Sequence, residues 1–164
     1  MRVLGIDPGS IKTGYGIVDL DRGKLSLVTA GTIEARAKAP IEERLLTIYT
    51  ELERLLAEHR PATAAVEDVF FAKHANAALK LGHARGVALL AIARAGLSVE
   101  AYPPSLVKRS IVGKGQADKE QVSRIVGVIL GLRERPGVDA TDALAVAITH
   151  AQAMRTRELT LKKR

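Results

Sequence analysis

The stretch RVLGIDPGSIKTGYGIVDL, residues 2–20, decides the fold. Its first part, Arg2–Asp7, is typical of a short buried strand that stops at a Pro-Gly pair, and Thr13–Asp19 alternates as a second strand. An Asp-Arg-Gly turn then leads into a third apolar run, Lys24–Ile33. The sequence therefore begins with a predicted antiparallel meander.

A helix and a fourth strand follow the meander. Pro40 precedes an amphipathic stripe at i, i+4 and i+7 spacing that ends near Arg60, which predicts a helix. Ala64–Val69 is a short apolar run suited to a strand buried on both faces. Two hairpin reversals and a helical crossover make the first and fourth strands run in the same direction. We therefore expect Asp7 and Glu67 to meet at one edge of the sheet.

The second half adds a fifth strand and several helices. The Ala/Leu-rich segment Ala75–Ala95 carries small residues at Ala78, Gly82 and Gly86, which favours either a dimer face or close packing on the sheet. The order of elements predicts an α/β fold with helices on both faces, a single domain over residues 1–155 and a disordered basic tail over 156–164. The remaining predicted elements are a strand at Ser98–Tyr102, a short helix from Pro103, a Gly113–Gly115 loop and helices at Asp118–Leu130 and Asp139–Met154.

Composition limits the class of protein. No run approaches the roughly 18 apolar residues of a membrane span, so we expect a cytoplasmic protein without a membrane partner. The absence of cysteine excludes disulfides and thiolate ligands, which favours a hard cation such as Mg²⁺ at any metal site. The whole chain has a net charge of +7, and its residues 69–164 include 16 Lys/Arg and 7 Asp/Glu. This basic half suits a polyanion such as DNA, although a charged thermophilic surface is an alternative.

Four acids are candidates for a metal site, and each also has a structural explanation. Asp7 is a common turn residue, whereas Asp139 and Asp142 could cap a helix N-terminus. Glu67 is harder to explain, because an ionisable group within Ala-Ala-Val-Glu-Asp-Val is costly to bury without a partner. The i, i+3 spacing of Asp139 and Asp142 places them on one helical face, with Leu144, Ala145 and Ile148 anchoring that helix to the core.

Clustering of these acids would favour a divalent cation. Two like charges about 4 Å apart repel by about 1 kcal/mol in water and by about 4 kcal/mol at an effective dielectric of 20. Two metal ions about 3.5–4 Å apart would remove that repulsion and serve in-line hydrolysis of a phosphodiester. The sequence therefore predicts a nuclease with Mg²⁺, two ions in each site, and Mn²⁺ as a substitute.

Four runs in order carry a family resemblance from Arg2 to about Ala153: GIDPGS…TGYGIV, EDVFFAKHANAALKLGHARG, VKRSIVGKGQADKEQV and VDATDALAVAITH. They closely resemble the RuvC Holliday-junction resolvases. The resemblance implies an RNase H-like fold with a five-stranded mixed sheet, and a homodimer that nicks four-way DNA junctions in pairs during recombination and repair. It also implies 5'-phosphate and 3'-hydroxyl ends, a bacterial source and a RuvA–RuvB branch-migration partner.

The same resemblance assigns roles to residues. Asp7, Glu67, Asp139 and Asp142 match the metal-binding acids, with Asp139 at a position where some members have His. Lys108 and Lys119 match basic residues important for activity, as catalytic groups that also bind DNA. Phe70 is the candidate for stacking on an unpaired junction base, whereas Phe71 is assigned to packing; before the resemblance, a core pair is an equal alternative.

The remaining polar residues receive structural interpretations. Asp68 stands where the family would have an amide, and strand alternation should turn it away from the metals. His74, His83 and His150 lack clear ligand spacing, so surface or capping roles are favoured. His150 lies three helical turns beyond Asp139, which is too far to share a metal with it.

Three rival functions are weaker. The opening hairpin also resembles the phosphate loop of actin-like sugar kinases and ATPases, but those enzymes need two related domains. A YqgF-type nuclease of ribosomal RNA processing would fit less well with Phe70 and the long Ala/Gly helix. A catalytically silent DNA-architecture protein would be hindered by four acids that repel phosphate.

Overall fold

A computed structural model describes residues 1–68 and 75–161, and its strands there form one five-stranded sheet in the order β3-β2-β1-β4-β5. Strand β1 pairs antiparallel with β2 and parallel with β4, so the predicted common direction of the first and fourth strands is confirmed. The strands are β1 (Arg2–Asp7), β2 (Lys12–Asp21), β3 (Lys24–Glu34), β4 (Thr63–Glu67) and β5 (Val99–Tyr102).

Helices cover both faces of the sheet, as predicted. Alternate residues of β1 divide between two cores: Leu4 and Ile6 join the core beneath α1 and α2, whereas Val3 joins the core beneath α3, α4 and α5. None of the helices in the described part of the chain is both long and apolar enough to cross a membrane. The helices are α1 (Ile41–His59), α2 (Ala75–Arg94), α3 (Pro104–Val112), α4 (Lys119–Leu130) and α5 (Val138–Leu161).

Glycines let α5 lie unusually close to β1 and β2. A Cβ atom on Gly5 would lie 2.3 Å from the Ala143 carbonyl oxygen, and one on Gly14 would lie 2.0 Å from the Asp139 carbonyl oxygen. Both distances are shorter than any van der Waals contact, so these strand positions accept no side chain without movement of the helix backbone. The close contact of Gly5 and Gly14 with the α5 backbone fixes the position of the first turn of α5 relative to the end of β1.

The C-terminal boundary differs from the prediction. Helix α5 continues to Leu161, so residues 156–161 are helical and do not belong to a disordered tail. Part of the reason is that the guanidinium of Arg157 forms a two-fold ion pair with Glu100 on β5, which ties this part of the helix to the sheet. The last three residues, 162–164, lie outside the described residues.

Candidate functional site

Asp7 and Glu67 are neighbours because their strands end together. Ile6 pairs with Val66 in the parallel ladder, so the next residue on each strand is one of the two acids. Both acids share a face with Val3 and Ala65, which pack towards α5. The turn after β1 is held by the Thr13 hydroxyl, which donates a hydrogen bond to the Gly9 carbonyl at 2.8 Å. The predicted meeting of the two acids at one sheet edge is therefore observed.

Helix α5 brings a third acid to this edge. Asp7, Glu67 and Asp142 line one cavity of about 280 Å³, together with Lys108 and Lys119. Asp139 does not line that cavity, although its charge acts on Asp7. Three of the four predicted acids and both predicted lysines thus surround one space, whereas the fourth acid is linked to it only through its charge.

Burial makes the acid pair at the strand ends electrostatically unusual. Burial raises the pKa of Asp7 to about 6, with a further upward contribution from the charge of Asp142. Burial likewise raises the pKa of Glu67 to about 8, and the neighbouring charge of Asp7 adds to the shift. A hydrogen bond between the two carboxyls lowers the pKa of Asp7 and raises the pKa of Glu67. A cation close to these two carboxyls would therefore stabilise their ionised forms at neutral pH.

Lys119 supplies positive charge to the cluster. Its ammonium lies 2.7 Å from the Asp142 carboxylate, and this hydrogen bond is the main cause that raises the pKa of Lys119. The charge of Lys119 also acts on Asp7 and Glu67. Asp118 caps the start of α4 by accepting a hydrogen bond from the Gln121 amide at 2.8 Å, which fixes the position of Lys119.

The donor set suits a hard divalent cation. Carboxylate oxygens are the ligands that Mg²⁺ and Mn²⁺ prefer. Burial raises the pKa of Asp7 and of Glu67 by more than the charge of Lys119 lowers it. Within residues 1–68 and 75–161, no three acid or histidine side chains already converge in a ligand arrangement. The Asp142 carboxylate pairs with the Lys119 ammonium at 2.7 Å, whereas the carboxyls of Asp7 and Glu67 pair with each other.

The predictions for the residues that follow Glu67 in the sequence have different outcomes. Asp68 is turned to the opposite face, where it forms an ion pair of 3.0 Å with Arg85 on α2, so its exclusion from the acid cluster is confirmed. Phe70 and Phe71 lie outside the described residues, as does His74, and their assigned roles stay predictions. His83 is exposed on α2, consistent with the predicted surface role.

The prediction for His150 is wrong. Its side chain is 1% exposed and neither caps a helix nor lies at the surface. Its Nε2 lies 2.9 Å from the Thr63 hydroxyl and its Nδ1 lies 2.9 Å from the Tyr102 hydroxyl, which in turn donates to Glu100. Burial lowers the pKa of His150, so the imidazole is a neutral link between β4, β5 and α5.

Sequence reasoning missed the residues that place α5 and the first turn. Gly5, Gly14 and Gly16 all face α5, and their spacing within two strands was a visible signal, because glycine weakens a strand unless another backbone approaches it. The buried guanidinium of Arg44 donates to the Ser10 carbonyl at 3.4 Å and so supports the turn after Asp7. No local pattern marks Arg44, because its partner is 34 residues away.

Comparison with known proteins identifies the relatives of the chain. A family model described as crossover junction endodeoxyribonuclease RuvC matches residues 3–150. The RuvC protein of Afipia carboxidovorans is 49% identical over 151 residues, which cover 92% of this chain and 88% of that protein. The RuvC protein of Halorhodospira halophila is 53% identical over 150 residues, with 92% and 89% covered.

Solved structures agree with the sequence relatives. Thermus thermophilus RuvC in complex with a Holliday junction substrate superposes with a TM-score of 0.89 and 39% identity, covering 95% of this chain and 96% of that chain. The yeast mitochondrial Holliday junction resolvase Ydc2 has a TM-score of 0.68 at 12% identity, over 98% of this chain and 84% of that chain, which supports the fold alone. The predicted RNase H-like α/β fold with a five-stranded mixed sheet is thereby confirmed.

Proposed function

The chain belongs to the RuvC family of crossover junction endodeoxyribonucleases, and from this premise we propose that it resolves four-way DNA junctions by paired, symmetric nicks in recombination and repair. The observation that carries the proposal is the single cavity lined by Asp7, Glu67, Asp142, Lys108 and Lys119. Acids alone would repel a phosphate, and lysines alone would bind a phosphate without catalysing its hydrolysis. Their combination suits hydrolysis of a phosphodiester.

The proposed division of labour follows from the charges. Asp7, Glu67, Asp139 and Asp142 hold two Mg²⁺ ions, for which Mn²⁺ substitutes. When bound, the ions supply Lewis-acid stabilisation of the charge that develops on the phosphate oxygens. Lys108 and Lys119 contact the cleaved strand, and Lys119 exchanges its ion pair with Asp142 for a phosphate oxygen. The products carry 5'-phosphate and 3'-hydroxyl ends.

Paired nicks require two active sites, and α2 offers a surface for a homodimer. Among residues 1–68 and 75–161, a Cβ atom added at Gly82 or Gly86 would meet nothing within 4 Å, so these small residues do not serve packing on the sheet. The nearby Leu79 and Leu90 are 60% and 54% exposed. Of the two uses predicted for this stripe, we therefore propose the dimer face.

The setting of the enzyme is proposed on the family alone. We propose a bacterial cytoplasmic enzyme that works with a RuvA–RuvB branch-migration complex at the junction. Its substrate is DNA, and the basic excess of residues 69–164 is suited to the phosphates of the junction arms.

The function is tested with a synthetic four-way junction. Purified protein with Mg²⁺ is expected to cut opposite strands at symmetric positions, which sequencing gels resolve, and to leave a linear duplex of matched sequence largely uncut. Omission of Mg²⁺ is expected to stop cleavage. Equal cutting of junction and duplex would refute the proposed function.

Phe70 is proposed to stack on an unpaired base at the junction, because base–aromatic stacking contributes about 1–3 kcal/mol. Phe70→Ala is therefore expected to slow junction cleavage about 5- to 150-fold while dimerisation, measured by light scattering, is retained. Phe70→Tyr is the matched control, since it keeps the aromatic face and is expected to keep the rate. Cleavage by Phe70→Ala at the wild-type rate would refute the stacking role and favour the alternative, a packing role for Phe70.

The acid pair predicts a pH-dependent stability without metal. Because the folded pKa values of Asp7 and Glu67 are raised, the folded state binds protons more tightly than the unfolded chain, and stability is lost as pH rises from about 4 through about 8. Urea denaturation in EDTA at pH 5, 6.5 and 8 is expected to show this fall for wild type and a smaller one for Glu67→Gln. The expected difference is of order a few kcal/mol, at 1.36 kcal/mol per pKa unit.

Two comparisons isolate the effect of the acid pair. The pKa of His150 is lowered in the folded state, so its contribution to the free energy of unfolding rises with pH below its unfolded pKa. This contribution is the same in wild type and Glu67→Gln, and it cancels when the two are compared. Asp21→Asn, an exposed acid at the far end of β2, is expected to follow wild type. Millimolar Mg²⁺ at pH 8 is expected to raise the melting temperature of wild type more than that of Glu67→Gln. Identical pH profiles for wild type and Glu67→Gln would contradict the assignment.

A further inference from the structure

A second cavity adjoins the candidate site. It has a volume of about 320 Å³ and lies between the start of α4, the loop before α5 and the first turn of α5. Lys119 and Asp142 line both cavities, so their ion pair is the wall between them. The two cavities are therefore direct neighbours, close enough to hold adjacent nucleotides of one strand.

The walls of the second cavity are fixed by hydrogen bonds. The buried Thr141 hydroxyl donates to the Pro136 carbonyl at 3.2 Å, and the Thr141 amide donates to the Gly137 carbonyl at 2.9 Å. Gly131 ends α4 in the left-handed conformation with φ of 63°, which directs the chain into this loop. The cavity is thus shaped before any ligand arrives.

The lining combines an apolar surface with positive charge. Pro136 and Val138 form the apolar part, and Val138 is 61% exposed. Arg135 lines the cavity and forms no ion pair with any residue of 1–68 or 75–161. Glu120 also lines the cavity. Its carboxylate suits the hydrogen-bond donors on a base edge, whereas the guanidinium of Arg135 suits a phosphate.

We propose that this cavity receives the nucleotide adjacent to the scissile phosphate, with its sugar and base against Pro136 and Val138 and its phosphate on Arg135. The inference rests on the proposed function, because the nucleotide belongs to the strand held by the catalytic cavity. The volume lies in the range of about 300–1,000 Å³ typical of small-ligand sites. Arg135 forms no ion pair within the described part of the chain, and the planar fork of donors on a guanidinium matches the oxygens of a phosphate.

The first test uses the absence of cysteine from the chain. Val138→Cys places a single thiol in the second cavity, and Val128→Cys places one on α4, outside the cavity and 72% exposed. Both are made with Asp7→Asn, so that a bound junction is not cut. Saturating four-way junction is expected to slow alkylation of the Val138→Cys thiol at least about tenfold and to leave the Val128→Cys thiol within about twofold.

The outcomes separate the inference from the proposed function. Gel shift of the same samples measures junction binding: bound junction without protection of the Val138→Cys thiol overturns the inference alone, whereas no binding overturns both. Free deoxythymidine monophosphate is the third arm. Equal protection by the free nucleotide at the same nucleotide concentration would show an independent small-molecule site and overturn the assignment to the bound strand.

A second test measures the phosphate contact of Arg135. Each phosphate contact contributes about 0.9 to the slope of log affinity against log salt for duplex DNA. Arg135→Ala is therefore expected to reduce the slope for junction binding by about 0.7–0.9. Arg155→Ala is the matched control, because Arg155 lies near Gly23, at the end of the sheet opposite Asp7. Equal slopes for Arg135→Ala, Arg155→Ala and wild type would refute the phosphate contact.

Discussion

Asp7→Asn is expected to lower the rate of four-way junction cleavage by about 10³-fold or more while the protein stays folded and still binds the junction. Asp7 sits between Glu67 and the first turn of α5, and loss of its negative charge removes a ligand from the centre of the acid cluster. Metal ions supply several kcal/mol of transition-state stabilisation, and each 1.36 kcal/mol is tenfold in rate. Single-turnover cleavage with saturating protein measures the effect.

The matched control for Asp7→Asn is Asp21→Asn, which makes the same chemical change at an exposed position at the opposite end of the sheet. That variant is expected to cleave at the wild-type rate. Asp7→Asn is also expected to be more stable than wild type in EDTA at pH 8, because the change removes a buried negative charge that Asp142 repels. Cleavage by Asp7→Asn within tenfold of wild type would refute the role of Asp7.

Gly14→Ala is expected to impair both stability and cleavage, although Gly14 carries no functional group. Its added Cβ would lie 2.0 Å from the carbonyl oxygen of Asp139, so the first turn of α5 must move away from β2. The movement displaces Asp142 from Asp7 and Glu67. Overpacking of this kind typically costs about 1–3 kcal/mol of unfolding free energy. We expect at least a hundredfold loss of cleavage, since misplacement by about 1 Å has such an effect.

Gly127→Ala is the matched control, because a Cβ at this position on α4 meets no described residue within 4 Å. It is expected to leave cleavage unchanged and to raise stability slightly, since alanine favours helix over glycine by about 1 kcal/mol. Thermal unfolding and junction cleavage of both variants make the comparison. If Gly14→Ala matched Gly127→Ala in both measurements, close packing of α5 would not be what places Asp142.

Local pattern and topology were enough to predict the strands and the meeting of two acids. The alternation of β1 and β2 and the short run of β4 are strong signals, and the parallel pairing of β1 with β4 follows from the number of reversals. Asp7 and Glu67 therefore follow from sequence alone. Asp142 needed the family resemblance, since an acid in the first turn of a helix has an ordinary explanation in the macrodipole.

Features that depend on distant partners were beyond sequence reasoning. His150 is held by residues 48 and 87 positions away, which is why spacing along α5 wrongly favoured a surface or capping role. The helical state of residues 156–161 is supported by the ion pair between Arg157 and Glu100, 57 residues apart. The pairing of Lys119 with Asp142 likewise joins two helices and has no local signature.

Binding of a divalent ion by the four acids is measured most directly by titrating metal-free protein with Mn²⁺ and recording the free ion by electron paramagnetic resonance. Wild type is expected to bind Mn²⁺ at the acid cluster, with Mg²⁺ in competition, and Asp7→Asn is expected to lose that binding. Binding that is equal in wild type, Asp7→Asn and Glu67→Gln, or absent from wild type at millimolar Mn²⁺, would contradict a metal site at the ends of β1 and β4.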